Sequence, residues 1–142
     1  MSMPSALATG VVFVWLGMVL AISFLEAPLK FRAPGVTVPV GLGIGRLVFR
    51  ALNVIEACFA LTLLAAVVLG TESGSVVVVA GLPVVVLLLQ LVAVRPRLNS
   101  RTERVLAGAD VPRSGSHLSY VLLEVAKVAT LLTLGIFLLA TR

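Results

Sequence analysis

Polar and ionisable side chains interrupt a segment that is otherwise apolar enough to span a bilayer. The segment is GLGIGRLVFRALNVIEACFALTLLAAVVLG, and its polar residues include Arg46, Arg50, Asn53 and Glu56. At about 100° per residue, the first three lie within about 60° of one another on a helix, and Glu56 lies about 60° further round. Ionisable groups at membrane depth are costly and usually face a protein interior or a water-filled cavity, so this face is expected to contact another part of the protein.

A second polar group opens the last apolar segment. Its members are His117, Tyr120, Glu124 and Lys127. Helical spacing places all four within about 80° of one another. Glu124 and Lys127 can form an ion pair along the helix, which lowers the cost of placing both in a membrane. Glu26 and Lys30, at the end of the first apolar segment, have the spacing of a second helical pair if the helix continues past Pro28, which is expected to end it.

The composition is that of an integral membrane protein. The chain has 142 residues, of which 60% are hydrophobic and 12% charged, and its mean hydropathy is +1.18. A spanning helix needs about 20 residues, so four spans and their loops use the whole length. We predict an all-α, integral membrane four-helix bundle: a single transmembrane domain, residues 1–142, with spans at about 9–26, 44–70, 76–94 and 117–140. The N-terminus lacks the basic region of a cleavable signal peptide.

Basic residues concentrate in two loops and predict the topology. Lys30 and Arg32 follow the first span. The arginines after the third span are Arg95, Arg97, Arg101, Arg104 and Arg113. The positive-inside rule places both loops in the cytoplasm and both termini outside (N-out/C-out), in a multi-pass protein of the inner (plasma) membrane.

A short interfacial helix is predicted in the second cytoplasmic loop, near residues 101–107. Ser100 and Glu103 have capping-box spacing, and Gly108 can end the turn that follows. The side chains expected to face anionic lipid headgroups are those of Arg97, Arg101 and Arg104. No basic face with accessible aromatic residues is evident, so nucleic-acid binding is not predicted.

The topology places the polar groups of spans two and four in the same, cytoplasmic half of the membrane. We predict a polar crevice between spans one, two and four, with Arg46, Arg50 and His117 at its mouth. Glu56, Glu124 and Lys127 would form its floor. Glu56 and Lys127 each lie on the order of 15 Å along their helices. The candidate ligand-binding residues are Glu26, Lys30, Arg46, Arg50, Asn53, Glu56, His117, Tyr120, Glu124 and Lys127. Span three, whose one strong polar group is Gln90, is predicted to be a lipid-facing scaffold.

The same charges can also neutralise one another, which would fix helix register without any ligand. The alternative pairings are Glu56 with Lys127 or Arg50, Glu124 with His117 or Lys127, and Glu26 with Lys30 or Arg46. The glycine-rich sequence before Arg46 can present free backbone N–H groups to an anion or can serve helix packing alone.

The favoured function is binding or transport of a small anionic or amphiphilic solute, with Glu56 or Glu124 taking up and releasing a proton, in a homo-oligomer. The alternative is a non-catalytic accessory subunit of a larger membrane complex. An enzyme with His117 or a glutamate as acid–base group is less well supported, because no nucleophile–base pattern is present. No cofactor or metal is expected. One histidine and three methionines offer few ligands, and the single cysteine, Cys58, permits neither an intrachain disulfide nor a multi-cysteine site.

Four short motifs give the chain a resemblance to a known group of proteins. They are Trp15-Leu-Gly17, Glu26-Ala-Pro28-Leu-Lys-Phe31, Gly43-Ile-Gly45-Arg-Leu-Val-Phe49, and His117 at the start of the last span. On these the chain resembles the uncharacterised small four-helix bacterial membrane proteins distantly akin to the copper-resistance D type. The resemblance implies the four-helix membrane fold and assigns no functional residue.

Overall fold

The protein is helical throughout the residues that the computed structural model describes, 2–112 and 115–141, and these include no strands. Arg113, which contributes to the charge pattern, lies outside them. Four helices are long and apolar enough to cross a membrane. They are α1 (Met3–Lys30), α2 (Val38–Leu69), α3 (Gly74–Leu106) and α4 (Gly115–Ala140). The predicted all-α class and the four apolar helices are thereby confirmed.

Each helix packs against two neighbours: α1 and α3 each contact both α2 and α4. Val12, Leu63 and Leu134 belong to one continuous buried apolar core. The outer faces are apolar as well, and Leu61 and Val92 are largely exposed. Helices that are hydrophobic all round suit a lipid environment, where the outward face need not be polar.

Side-chain caps and prolines set where the helices begin. The Ser2 hydroxyl accepts a hydrogen bond from the Ser5 N–H (3.3 Å) at the start of α1, and the Thr37 hydroxyl accepts one from the Val40 N–H (3.4 Å) at the start of α2. Each of these helices has a proline in its first turn, where the missing N–H would have no intrahelical acceptor. The helices consequently start six residues before the predicted spans at 9 and 44.

Two π-helical segments carry α1 and α3 past prolines. Leu20–Glu26 precedes Pro28, and Gln90–Val94 precedes Pro96. A proline ring clashes with the carbonyl four residues earlier in an α-helix, and both of those carbonyls lie inside the wider π-helical turns. The expectation that Pro28 ends the first helix is therefore wrong, since α1 continues to Lys30.

The basic loop after span three is largely helical and continuous with α3. Its α-helical part is Arg95–Leu106, which starts six residues earlier than the predicted helix near 101–107. Ser100 lies inside this helix and does not cap it. The helix ends as expected at Gly108 (φ 94°), where the Gly108 N–H donates to the Val105 carbonyl and the Ala109 N–H to that of Arg104. The connectivity brings the ends of α1 and α3 beside the starts of α2 and α4.

Candidate functional site

A buried polar network joins all four helices in the middle of the bundle. Lys127 Nζ lies 2.6 Å from Glu56 Oε2 and 3.0 Å from Glu124 Oε1. The Trp15 indole N–H donates to Glu56 Oε2 (2.8 Å), and the Gln90 amide donates to Glu124 Oε2 (3.2 Å). All five residues are at most 2% exposed. We call these five residues the central network.

The central network contains more acceptors than donors. Two carboxylates and one ammonium leave a formal charge of −1 when all are ionised. Glu56 Oε1 and Gln90 Oε1 are buried and accept no hydrogen bond from any described residue. A buried charge without compensation is costly in a low-dielectric interior, so one added proton would both cancel the charge and supply a donor.

A cavity of about 240 Å³ lies next to the central network, between the end of α1, the start of α2, the end of α3 and the start of α4. We call it the basic pocket, since its charged wall carries four cationic side chains and one carboxylate. These are Lys30, Arg46, Arg95, Arg101 and Glu124. Glu124 belongs to both the pocket and the central network, where it shares the Lys127 ammonium with Glu56.

Arg95 is held between two aromatic rings in the wall of the basic pocket. Its guanidinium carbon lies 4.8 Å from the centre of the Phe49 ring and 4.5 Å from that of Tyr120. The two rings meet edge to face at 88°, which fixes both. Stacking on aromatic faces stabilises the cation but leaves its N–H groups without acceptors. Nε and Nη2 are indeed buried and hydrogen-bonded to no described residue.

Lys30 and Phe31 occupy space that two glycines of α2 leave free. A Cβ at position 45 would lie 2.8 Å from Lys30 Nζ, and a Cβ at position 41 would overlap the Phe31 ring. The Lys30 ammonium lies 3.8 Å from Glu26 Oε2, and its side chain is only 10% exposed. It also lies 5.8 Å from the centre of the Phe49 ring. The glycines of the Gly41–Gly45 sequence thus serve close packing of α1 on α2.

Two further arginines of the pocket wall are tied to nearby groups. Arg46 Nη2 donates to Glu103 Oε1 at 3.1 Å, which fastens α2 to the end of α3. Arg101 donates to the carbonyls of Pro112 and Val111, each at 3.2 Å. Arg95 therefore has the least compensated guanidinium of the pocket.

Comparisons of the chain with protein-family models, with curated proteins and with solved structures gave no match. Its function must be inferred from its own chemistry.

The structure divides the predicted constellation into three places. Lys30, Arg46, His117, Tyr120 and Glu124 line the basic pocket. Glu56 and Lys127 lie in the central network. Arg50 and Asn53 do not join them: they line a separate groove between α2 and α3. Glu26 lines neither cavity and pairs with Lys30. The ten residues thus do not line one crevice, because α2 turns Arg50 and Asn53 toward α3 and not toward α1 and α4.

The predicted pairing of Glu56 and Glu124 with Lys127 is confirmed, as is that of Glu26 with Lys30. Sequence reasoning missed Trp15, Gln90 and Arg95. Of these three, Gln90 could have been found from the sequence, because a lone amide in an aliphatic span needs a hydrogen-bond partner. Its burial also corrects the description of span three as a lipid-facing scaffold. Among the described residues no cluster of three or more histidine, cysteine or acidic side chains could hold a metal ion.

Proposed function

We propose that this protein binds a small anionic or amphiphilic solute in the basic pocket and carries it through the membrane as a homo-oligomer. The observation that carries the proposal is Arg95, whose stacked guanidinium has two buried N–H groups without an acceptor. A guanidinium offers a planar fork of donors that matches a carboxylate or phosphate. An anion in the pocket would supply the missing acceptors.

The charge of the pocket wall supports the same class of ligand. Arg95 lies close to Phe49 at low exposure, where an uncompensated cation is costly. Lys30 lies beside the same ring, and its one ion pair, with Glu26, is as long as 3.8 Å. The one carboxylate in the wall, Glu124, is already paired with Lys127. The wall is therefore electropositive.

Apolar side chains complete the wall and favour a solute with a hydrocarbon part. Phe24 and Phe31 lie at the end of α1 and are each about 40% exposed, and Val121 belongs to the start of α4. Burial of apolar surface stabilises a complex by roughly 25 cal/mol per Å². A ligand with an anionic head and a short apolar tail would use both parts of the pocket.

The proposed orientation places the pocket on the cytoplasmic side of the plasma membrane. The segments next to it carry Arg32, Arg97 and Arg104, and the turn between α2 and α3 carries no basic residue. The positive-inside rule then gives N-out/C-out. The helix Arg95–Leu106 would lie at the membrane surface, with Arg97 and Arg104, both exposed, beside anionic headgroups.

The central network supports coupling of the solute to a proton. Glu124 connects the pocket with the network, whose formal charge of −1 is cancelled by one proton on Glu56 or Glu124. Uptake of that proton would favour an anion in the pocket, and its release would favour departure of the anion.

Calorimetric titration of the protein in phosphatidylcholine nanodiscs tests the proposal. Hexyl phosphate is expected to bind, and hexyl glucoside, which has the same tail and no charge, is not. Lys30→Met should weaken the binding of hexyl phosphate by about tenfold, the usual loss for one charge-assisted contact. Arg32→Gln is the matched control, because Arg32 is exposed and does not line the pocket. Equal affinities for the two ligands, or for the two variants, would refute the proposal.

The alternative is an accessory subunit of a membrane complex. It is favoured by the internal pairing of the central network, which can fix the helix arrangement without any solute. Extraction in a mild detergent separates the two: an accessory subunit would bring other membrane proteins with it at fixed stoichiometry, and a transporter of the proposed kind would be isolated as a homo-oligomer.

A further inference from the structure

A second cavity opens between α2 and α3, on the outer surface of the bundle. It has a volume of about 340 Å³, and we call it the lateral groove. The side chains that it does not share with the basic pocket include those of Arg50, Asn53, Val54 and Leu91. Arg50 and Val54 are exposed, and Val54 retains 61% of its accessible surface. In a membrane this groove would be open to lipid.

Most polar groups of the lateral groove lack partners, although Arg46 is paired with Glu103. Three guanidinium groups border it, those of Arg46, Arg50 and Arg95, and no carboxylate does. Within the described residues Arg50 forms no ion pair or hydrogen bond, and neither amide side chain of the groove, Asn53 or Asn99, is hydrogen-bonded. Arg50, Asn53 and Asn99 thus offer N–H donors that no described residue uses, which matches the oxygens of a phosphate group.

Polarity changes along the groove in the direction of the membrane normal. From Arg46 to Ala57, α2 advances about 16 Å into the membrane, at ~1.5 Å per residue. Arg46, Arg50 and Asn99 lie toward the shallow end, Ala57 and Leu91 lie toward the deep end, and Asn53 and Val54 lie between them. A free anion would make no favourable contact with the deep, apolar end. A phospholipid places its phosphate at the shallow end and its acyl chains at the deep end.

We propose that the lateral groove binds an anionic phospholipid, with its phosphate between Arg50, Asn53 and Asn99 and its acyl chains against Val54, Ala57 and Leu91. The net positive charge of the groove selects an anionic headgroup over a zwitterionic one. This site is distinct from the basic pocket, because Arg50 and Asn53 border the groove alone. The two sites share only Arg46, Arg95 and Asn99.

Native mass spectrometry of the delipidated protein, titrated with lipid, tests the proposal. Phosphatidylglycerol is expected to bind at least tenfold more tightly than phosphatidylcholine with the same acyl chains. Arg50→Gln should remove about tenfold of the affinity for phosphatidylglycerol. Asn53→Leu, which removes an amide without changing the charge, should weaken it by a smaller factor. Arg32→Gln removes the same charge as Arg50→Gln at an exposed position outside the groove and should leave the affinity unchanged.

Three outcomes would overturn the lipid site. They are equal binding of the two phospholipids, unchanged affinity in Arg50→Gln, and displacement of bound phosphatidylglycerol by millimolar inorganic phosphate, which would mark a site for free anions. None of them bears on the basic pocket, because Lys30→Met and hexyl phosphate report on that site separately.

Discussion

At the scale of single residues, Lys127 is the ion that makes the central network possible. It is fully buried and contacts both carboxylates, Glu56 and Glu124. We predict that Lys127→Met lowers the free energy of unfolding by about 3–5 kcal/mol, the usual cost of leaving a buried charge without its partner. Unfolding by sodium dodecyl sulfate, followed by circular dichroism, measures it.

The matched control for Lys127→Met also removes the two carboxylates that this substitution leaves unpaired. Adding Glu56→Gln and Glu124→Gln to that variant should restore most of the lost stability, because neutral amides are cheaper to bury than carboxylates. A single Lys127→Met variant as stable as the unchanged protein would show that the ion pairs contribute nothing to the fold.

The two glutamates have a separate expected role in pH dependence. A proton on the central network cancels a negative charge beside the basic pocket, so the affinity for hexanesulfonate, an anion that stays ionised throughout, should rise as the pH falls. Glu56→Gln and Glu124→Gln mimic the neutral network and should bind tightly with no pH dependence while remaining folded. Glu72→Gln, in the turn between α2 and α3, is the control and should keep the pH dependence of binding. Unaltered pH dependence in both network variants would exclude the coupling.

The i, i+3 spacing of Glu124 and Lys127 and the matching depth of Glu56 placed the observed ion pairs among the predicted alternatives, without choosing between Lys127 and Arg50 or His117. Arg95 was not predictable in the same way. Its position directly after the expected end of span three, at residue 94, assigned it to a loop, and only the continuation of α3 places it beside Phe49 and Tyr120. Side-chain placement at a helix end depends on whether the helix stops, which a nearby proline obscures.

At the scale of helices, glycines mark where two helices come closest. A Cβ at Gly135 of α4 would lie 2.8 Å from the Phe13 ring of α1. We predict that Gly135→Ala lowers the free energy of unfolding by about 1–3 kcal/mol through overpacking. Gly17→Ala is the control, since no atom lies within 4 Å of the added Cβ there. A smaller side chain at position 13, as in Phe13→Leu, should recover part of the loss, and equal stabilities for the two alanine variants would contradict this close contact.

Hydropathy was sufficient to predict the number and type of the helices, because an apolar run of spanning length has few other structures in a membrane. The positions of the helix ends were harder to predict. Pro28 was expected to end the first helix, but a π-helical segment carries α1 past it, and another carries α3 past Pro96. The predicted cap at Ser100 was wrong for the same reason: α3 was already helical when the chain reached it.

At the scale of the whole molecule, charge is distributed in two layers. The central network joins the four helices at mid-bundle, and the uncompensated cations lie at one end, around the basic pocket and the lateral groove. Helical spacing and the distribution of basic residues predicted deep and shallow charged groups, as the floor and mouth of one crevice. They did not predict two cavities, because the division depends on which side of α2 faces α3.

The affinity of hexyl phosphate for Arg95→Gln, compared with Arg32→Gln, tests the central claim most directly. Both variants lose one positive charge, and only the first loses the guanidinium stacked between Phe49 and Tyr120. We predict at least a tenfold weaker affinity for Arg95→Gln and an unchanged affinity for Arg32→Gln. Equal affinities in the two folded variants would contradict an anion site built on Arg95.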